Sequence, residues 1–235
     1  MIISILQTKG GSGKSTLTQM LSFSSAVKKK FPDVSILEMD YQGSLSRWVE
    51  NRNIRLGVDE EEGFKFNSYY GKNLDLLGKE IKKIYSREKT EIMFVDTGGE
   101  SNVGTGTRYS ISISDKVIIP IKVSTYSEDA FLTNLYPKIK DIKDKKFYIL
   151  PSFVHPSSNV DNIKNHIKEK ITKGTNLQIM KNCFFNRTIY DNCNRYGLSL
   201  KEYREFFKTN KKETNRVDTA LKDIENISKE ILRGL

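Results

Sequence analysis

The residues best suited to chemistry lie near the start of the chain, in segment 9–16, which reads KGGSGKST. Closely spaced glycines let the backbone curl so that successive N–H groups point inward, where they bind phosphate oxygens. Lys14 is placed to reach the β- and γ-phosphates of a nucleotide, and the Ser15 hydroxyl is placed to bind Mg²⁺. The segment therefore predicts a phosphate-binding loop. Its predicted nucleotide contacts are Lys9, Gly10, Gly11, Ser12, Gly13, Lys14, Ser15 and Thr16.

The loop differs from the usual phosphate-loop pattern at its entrance. The first glycine of that pattern is replaced by Thr8, and Lys9 adds a second lysine. Lys9 can bring positive charge to the phosphates, as an arginine finger supplied by a partner does. The apolar run 2–6 is typical of a buried strand, and 14–30 has the pattern of a helix. This order of strand, loop and helix favours a nucleotide site over a glycine-rich linker.

Two acidic residues come at the ends of later apolar runs and are candidates for the same site. Asp40 follows the predicted strand 34–39, and Asp96 ends the predicted strand 91–96. The carboxyl ends of parallel strands form the ligand crevice of a doubly wound sheet, so we expect both carboxylates there. Asp96 is predicted to face the Mg²⁺ hydration shell. Asp40 has an alternative role as the cap of the following helix, although Ser44 is the better cap.

Glycines follow Asp96 and supply hinges for a segment that senses the γ-phosphate. They are Gly98, Gly99, Gly104 and Gly106.

Apolar runs alternate with amphipathic segments along the whole chain. This alternation predicts an α/β fold, a doubly wound, mostly parallel sheet flanked by helices. The predicted strands span 2–6, 34–39, 91–96, 116–121, 146–150 and 177–182. The predicted helices span 14–30, 44–51, 74–86, 127–142, 159–172, 189–196 and 213–232. Segment 57–71 is polar and predicts an irregular surface excursion. With no repeat and no long linker, we expect a single domain over residues 1–235.

The loop resembles the deviant Walker A loop of the ParA/MinD superfamily, whose signature lysine corresponds to Lys9. The similarity runs along the whole chain, and its most specific matches are 9–16, 40–44 and 92–99. The resemblance implies a P-loop NTPase fold with ATP and Mg²⁺ as cofactors. It also implies slow, partner-stimulated hydrolysis of ATP to ADP and phosphate. In that family two subunits sandwich two ATP molecules, so Lys9 is expected to cross to the nucleotide of the other subunit of a homodimer.

The resemblance also implies roles for single residues. Glu38, Asp40 and Gln42 match the family's Asp-x-Asp-Pro-Gln segment, with glutamate for the first aspartate and Tyr41 for the proline. Asp40 is then expected to orient the attacking water or a Mg²⁺-bound water. The implied catalytic residues are Lys9, Lys14 and Asp40. The implied metal-binding residues are Ser15, Asp40 and Asp96.

Two later segments extend the resemblance. Segment 146–152 resembles the strand near which the family holds adenine, which makes Pro151 a candidate cofactor contact. Segment 187–197 resembles the stretch between an arginine and a glycine that closes the family's domain.

Composition limits the classes of function. The chain has 235 residues, 37% of them hydrophobic, and a formal net charge of +10. It has no apolar stretch of about 18 residues and no signal segment, which predicts a cytoplasmic protein without a membrane span. Cys183 and Cys193 fit two reduced thiols, and His155 and His166 are too isolated for a metal or catalytic site. The positive charge favours polyanionic partners, although lysines also serve solubility.

Basic residues are concentrated in the second half of the chain, in segments 138–146 and 201–216. Such segments neutralise phosphates without reading bases, or they are ordinary solvated helix faces. The predicted DNA-binding residues are Lys208, Lys211, Lys212 and Arg216.

The first functional hypothesis is a ParA-like ATPase for the partition of a plasmid or chromosome. Its ATP-bound dimer binds DNA nonspecifically, which places it on the nucleoid in the cytoplasm. A centromere-binding, ParB-like adaptor stimulates hydrolysis and releases it.

The second hypothesis is a MinD-like positioning ATPase that binds membranes through an amphipathic helix in 213–235. The acidic residues on the polar face of that helix favour packing against the core instead. A metabolic relative of the iron-protein type is disfavoured because segment 96–120 contains no cysteine. A DNA-binding repressor without turnover is a further alternative.

Overall fold

The computed structural model of the protein describes residues 1–7, 11–58, 62–70, 73–87, 90–98 and 105–233. Lys9 and Gly10 of the predicted phosphate loop lie outside the described residues. Gly99 and Gly104 of the predicted hinge segment lie outside them as well.

Eight parallel strands form one sheet, which confirms the predicted α/β fold. Along the sheet the order is β3-β2-β4-β1-β5-β6-β7, and β8 also pairs with β6. The strands are β1 (Ile2–Ile5), β2 (Val34–Glu38), β3 (Phe64–Ser68), β4 (Ile92–Asp96), β5 (Lys116–Lys122), β6 (Phe147–Val154), β7 (Gln178–Ile179) and β8 (Phe184–Phe185). The central strands β1 and β4 are buried on both faces, which explains their unbroken apolar runs.

Helices cover both faces of the sheet. Ile3 and Ile5 of β1 pack toward α1 and α11, whereas Ile2 packs in the cluster of α4 on the opposite face. The helices are α1 (Lys14–Ser22), α2 (Ser25–Lys30), α3 (Ser44–Leu56), α4 (Leu74–Arg87), α5 (Thr105–Ile113), α6 (Thr125–Ala130), α7 (Tyr136–Ile139), α8 (Val160–Ile167), α9 (Thr188–Tyr196), α10 (Leu200–Phe206) and α11 (Lys211–Ile231). The π-helical turns Phe131–Leu135 and Lys168–Thr172 precede α7 and follow α8.

The prediction of an irregular excursion over 57–71 is wrong, because Phe64–Ser68 forms the edge strand β3 beside β2. Phe64 and Phe66 pack with Trp48 of α3, and this apolar contact stabilises a short and otherwise polar strand.

The single helix predicted over 14–30 is also wrong. The helix is interrupted at Ser24, whose side chain accepts the Val27 N–H and so caps the start of α2. The carboxylate of Glu225 accepts the N–H groups of Ser25 and Ala26 as well. Helices α5 and α10 were not among the predicted elements, and the predicted strand 177–182 shrinks to Gln178–Ile179.

The C-terminal helix α11 packs against the core through Val217, Ala220, Ile224, Ile227 and Ile231, all of them buried. Its acidic residues hold it in place: Asp218 pairs with Arg204, Asp223 pairs with Arg187, and Glu230 accepts the Asn182 N–H. The buried ammonium group of Lys116 donates to the Arg233 carbonyl at 2.9 Å and to that of Ile231. Core packing, rather than a free amphipathic tail, is therefore the arrangement of this helix.

Within the described residues, no helix is both long enough and apolar enough to span a membrane.

Candidate functional site

The described part of the predicted phosphate loop, Gly11 to Gly13, leads into α1 at the carboxyl edge of the sheet. Gly13 stands immediately before α1 with a φ of 84°, in the left-handed region that favours glycine. A Cβ atom at Gly13 would lie 2.8 Å from the ring of Phe153, so the loop also needs glycine for space. Lys14 begins the helix and is buried. The first N–H groups of α1 are therefore available to an anion at this point.

Ser15 and Asp96 are brought together as the metal-site prediction requires. The Ser15 hydroxyl donates a 2.6 Å hydrogen bond to Oδ2 of Asp96, which is completely buried at the end of β4. The other carboxylate oxygen, Oδ1, has no hydrogen-bond partner among the described residues. Burial raises the pKa of Asp96 to about 7, although the Ser15 hydroxyl and the charge of Lys14 act to lower it.

This pair fits Mg²⁺, which prefers oxygen ligands and keeps several of its waters. A buried carboxylate oxygen without a partner, next to a hydroxyl, is an incomplete polar site that a hydrated cation would complete. Ser15 would hold the ion directly and Asp96 would accept from its waters. The ion would supply charge neutralisation for the phosphates.

Asp40 lies in the turn between β2 and α3, on the same edge of the sheet. Its Oδ1 accepts the Gln42 N–H at 3.0 Å, and no described residue pairs with its second carboxylate oxygen. The Met39 N–H donates to the Asp96 carbonyl at 2.8 Å, so the ends of β2 and β4 are joined. The turn thus holds Asp40 beside the phosphate loop with one oxygen available. Helix α3 begins at Ser44 with Gly43 as its N-cap residue, so neither Asp40 nor Ser44 is the cap.

Glu38 has a role that the sequence did not reveal. Its buried carboxylate accepts the N–H groups of Leu45 and Ser46, at 2.8 and 3.1 Å, and the hydroxyl of Tyr70 at 2.9 Å. Glu38 therefore caps the first turn of α3 from the preceding strand and stabilises the turn that contains Asp40. The known sequence patterns for helix capping involve residues within a few positions of the helix start. Glu38 lies seven residues before Leu45, so no such pattern predicts this contact.

One cavity of about 490 Å³ contains the described loop residues Gly11 to Thr16 and also Asp40. Sequence reasoning missed much of its wall. The unpredicted lining includes Arg47, Trp48 and Asn51 of α3, Phe153 of β6, and Asn194 and Arg195 of α9. Pro151, the predicted adenine contact, is buried inside β6 and does not line this cavity, whereas Phe153 does. Phe153 is the described non-glycine residue with a positive φ, 52°.

An ion pair between the buried Arg52 and the partly exposed Glu202 joins α3 to the α9–α10 unit behind this cavity. The Arg52 guanidinium donates two 2.6 Å hydrogen bonds to Glu202 and lies 4.6 Å from the ring centre of Phe23. Gly197, at the end of α9, approaches so closely that a Cβ atom would lie 2.4 Å from the Arg52 backbone nitrogen. The helix that follows the Asp40 turn is therefore fixed directly to the C-terminal third of the chain.

The predicted DNA-binding residues lie outside the cavity, between α10 and the first turns of α11. Lys208 pairs with Glu205 and Arg216 pairs with Glu213. Lys211 and Lys212 are exposed and make no ion pair with any described residue.

In this parallel sheet a glycine-rich loop and a helix follow the first strand, and acids lie at the end of β4 and just after β2. This arrangement is typical of the P-loop class of nucleotide-binding folds. No protein-family model matches this sequence, and no curated protein matches it either.

Solved structures do match, at low sequence identity and nearly full coverage. A Borrelia burgdorferi B31 protein, described as a plasmid partition protein and bound to AMPPNP, has a TM-score of 0.66 and 19% identity, with 100% of this chain and 99% of that chain covered. The Aquifex aeolicus cell division protein MinD has a TM-score of 0.66 and 16% identity, with 98% and 96% covered. The ParA of pnob8 has a TM-score of 0.61 and 17% identity, with 99% and 97% covered. The chain has the fold of the ParA/MinD-type ATPases, which confirms the predicted resemblance at the level of the fold.

Proposed function

We propose that this chain is a ParA-like ATPase for DNA partition. It binds ATP and Mg²⁺ in the cavity of the phosphate loop and forms a homodimer with ATP. The dimer binds DNA nonspecifically and is released when a ParB-like adaptor stimulates slow hydrolysis to ADP and phosphate. The observation that supports it best is the hydrogen bond from the Ser15 hydroxyl to the buried Asp96. Ser15 lines the same cavity as Lys14 and Asp40.

Lys14, the start of α1 and Asp40 have distinct parts in the proposed hydrolysis. The ammonium group of Lys14 and the N–H groups at the start of α1 neutralise the phosphates. Asp40 has one carboxylate oxygen held by the Gln42 N–H and one available to orient the attacking water.

The dimer follows from the resemblance of segment 9–16, in which Lys9 crosses to the nucleotide of the second subunit. Two basic faces then bind one DNA molecule together, which raises affinity through effective concentration. This link makes DNA affinity depend on bound ATP. Lys211 and Lys212 support the DNA proposal, because their ammonium groups are exposed and unpaired with any described residue.

The MinD-like alternative needs a membrane-binding segment. The apolar stripe of α11 is buried in the core, and the helix end is held by Lys116, so α11 does not supply that segment while the protein is folded. Flotation of the protein with anionic vesicles and ATP tests this alternative. We expect it to stay unbound.

The decisive experiment compares Lys14→Ala, Lys9→Ala and the exposed control Lys222→Ala. Nucleotide binding is measured with a fluorescent ATP analogue, dimers by sizing chromatography, and DNA binding by gel shift over a series of salt concentrations. We expect Lys14→Ala to abolish nucleotide binding. Lys9→Ala should retain nucleotide but lose ATP-dependent dimers and the ATP-dependent gain in DNA affinity, and Lys222→Ala should behave as wild type. Normal dimers of Lys9→Ala would contradict the proposal.

A further inference from the structure

The lysines of the predicted helix 127–142 and of the segments around it gather on the edge of the sheet opposite the nucleotide cavity. Residues 138–146 directly precede β6 and residues 168–176 precede β7, so both segments lie at the amino ends of parallel strands. Asp40 and Asp96 lie at the carboxyl ends. We call residues 138–146 and 168–176 together the amino-edge surface.

This surface contains a large share of the chain's positive charge. Its two segments have eight lysines and three acids, a net charge of +5, which is half of the formal net charge of +10. Segment 199–216 has six basic residues and three acids. Three of those six, Arg204, Lys208 and Arg216, are in ion pairs. The amino-edge surface is therefore the more strongly charged of the two.

Most of the amino-edge lysines are also unpaired. Lys140, Lys143, Lys168 and Lys170 are exposed and make no ion pair with any described residue, whereas Lys173 pairs with Glu169. Asp141 and Asp144 lie between the lysines in sequence but form no ion pair with them. Unpaired like charges that collect on one edge raise the local positive potential and attract polyanions.

The two segments are joined into one concave surface. The Asn176 side chain donates to the Ile142 carbonyl at 3.3 Å, which links the two segments. The Lys145 ammonium group donates to the carbonyls of Ser112 and Ser114 at 2.9 Å, which links segment 138–146 to the end of α5. Between the segments is a cavity of about 330 Å³. Its lining is Tyr136, Lys140, Lys143, Gly174, Thr175 and Asn176. Two free ammonium groups beside hydroxyl and amide groups suit a phosphate oxygen.

We propose that the amino-edge surface is a second DNA-binding surface, which holds backbone phosphates of duplex DNA whether or not nucleotide is bound. This inference rests on the proposed function, because it takes DNA as the partner. None of the lining residues of the nucleotide cavity belongs to either segment, so neither ATP nor a dimer joined across that cavity covers the surface. ATP then adds affinity through the dimer, while a basal affinity persists without it.

DNA fits this surface better than an anionic membrane does. Peripheral membrane binding needs apolar side chains that enter the lipid as well as basic residues. None of the exposed large apolar side chains of the described residues lies in either segment. Duplex DNA needs only the charges, because contacts to phosphates position a protein without reading the sequence.

The test is a double variant, Lys140→Ala/Lys143→Ala, with Lys222→Ala/Lys229→Ala on the exposed face of α11 as the matched control. Both remove two exposed lysines, so both should melt at the wild-type temperature. Affinity for unrelated DNA duplexes is measured with ATP, with ADP and without nucleotide over a salt series. Loss of two phosphate contacts should lower the salt slope by about 1.8 and weaken binding on the order of tenfold to a hundredfold near ~0.1 M salt.

We expect this loss in all three nucleotide conditions and near wild-type affinity for the control. Wild type that binds DNA while the double variant binds equally well would overturn the inference and leave the proposed function intact. Loss confined to ATP would overturn nucleotide independence. Wild type that binds no DNA in any condition would overturn the proposed function and this inference with it. Binding to vesicles of phosphatidylglycerol and phosphatidylcholine, lost in the double variant, would assign the surface to membranes instead.

Discussion

Asp96 is the described acidic residue whose surroundings change its chemistry most. Its carboxyl group is completely buried, and the raised pKa of about 7 means that it is about half protonated at neutral pH without a cation. A nearby divalent cation favours the ionised form. Under the proposed function, Mg²⁺ binding at this residue would be coupled to loss of a proton, and Mg²⁺ affinity should fall as the solution becomes more acidic.

Asp96→Asn should retain the fold and lose the dependence of nucleotide affinity on Mg²⁺. Asparagine has the same shape, and its amide oxygen still accepts the Ser15 hydroxyl, but it lacks the charge that favours the cation. Titration of an ATP analogue with and without Mg²⁺ measures the effect. The control is Asp129→Asn, an exposed residue on α6. Wild-type Mg²⁺ dependence in Asp96→Asn would rule out the assigned role.

Asp40→Ala should bind ATP but turn it over far more slowly. The change removes the carboxylate that is proposed to orient water, while Lys14 and Ser15 remain, so we expect a loss on the order of 10²-fold, as for removal of a general base. The protein should therefore accumulate as an ATP-bound, DNA-bound dimer. Phosphate release and gel shifts measure the two effects. Rapid hydrolysis by this variant would refute the assignment of Asp40.

At the scale of elements, α3 connects the nucleotide cavity to the C-terminal helices. Its start is capped by Glu38 and its middle is fixed by Arg52 to Glu202 of α10. Burial alone would raise the pKa of Glu202, but the hydrogen bonds and charge of Arg52 outweigh it and hold the pKa below its ordinary value. A depressed pKa stabilises the fold above the unfolded value of 4.5, and the contribution is lost as the pH falls through the lower folded value.

Glu202→Gln should lower the free energy of unfolding by about 3 kcal/mol at pH 7, because the buried charge of Arg52 then loses the Glu202 carboxylate. The difference from wild type should shrink as the pH falls below the unfolded value of 4.5. Urea unfolding over a pH series measures both. Glu205→Gln breaks the exposed pair with Lys208 on the same helix and should cost under about 1 kcal/mol. Equal effects of the two variants would contradict the buried role of Arg52.

The elements show why sequence predicted the centre of this fold better than its periphery. Strands β1 and β4 are buried on both faces, so their apolar runs stand out and the acid at the end of β4 is easy to place. Edge strand β3 is short and half-exposed, and it exists because Phe64 meets Trp48 across the fold. The break at Ser24 has a local cap in the Ser24 side chain, but it is also stabilised by Glu225, two hundred residues later.

The candidate site divides in the same way. The described loop residues and Asp96 follow a local motif, so spacing alone placed them. Glu38, Arg47 and Arg195 depend on how α3 and α9 pack beside the loop, and no local pattern reports such packing. Pro151 was placed on the correct strand but two residues from Phe153, the side chain that lines the cavity.

At the scale of the whole molecule, α11 belongs to the core rather than to a detachable tail. Ile224→Asp should therefore destabilise the protein by roughly 4 kcal/mol or more, because it buries an unpaired charge. Lys222→Asp, two residues away and exposed, should change stability by less than about 0.5 kcal/mol. Thermal melting measures both. If α11 were instead a membrane tail, Ile224→Asp would leave the melting temperature unchanged and abolish vesicle binding.

The contact between Gly197 and Arg52 has a consequence for how the chain can be divided. The backbone of Gly197 contacts the backbone of Arg52 directly, with no room for a methyl group between them. The amino-terminal and carboxyl-terminal portions therefore pack backbone against backbone at this point. A fragment that stops before α9 would leave the guanidinium of Arg52 without the Gly197 carbonyl and the Glu202 carboxylate. We therefore expect that cleavage before α9 unfolds the phosphate-loop portion as well, and that the intact molecule melts in one cooperative step.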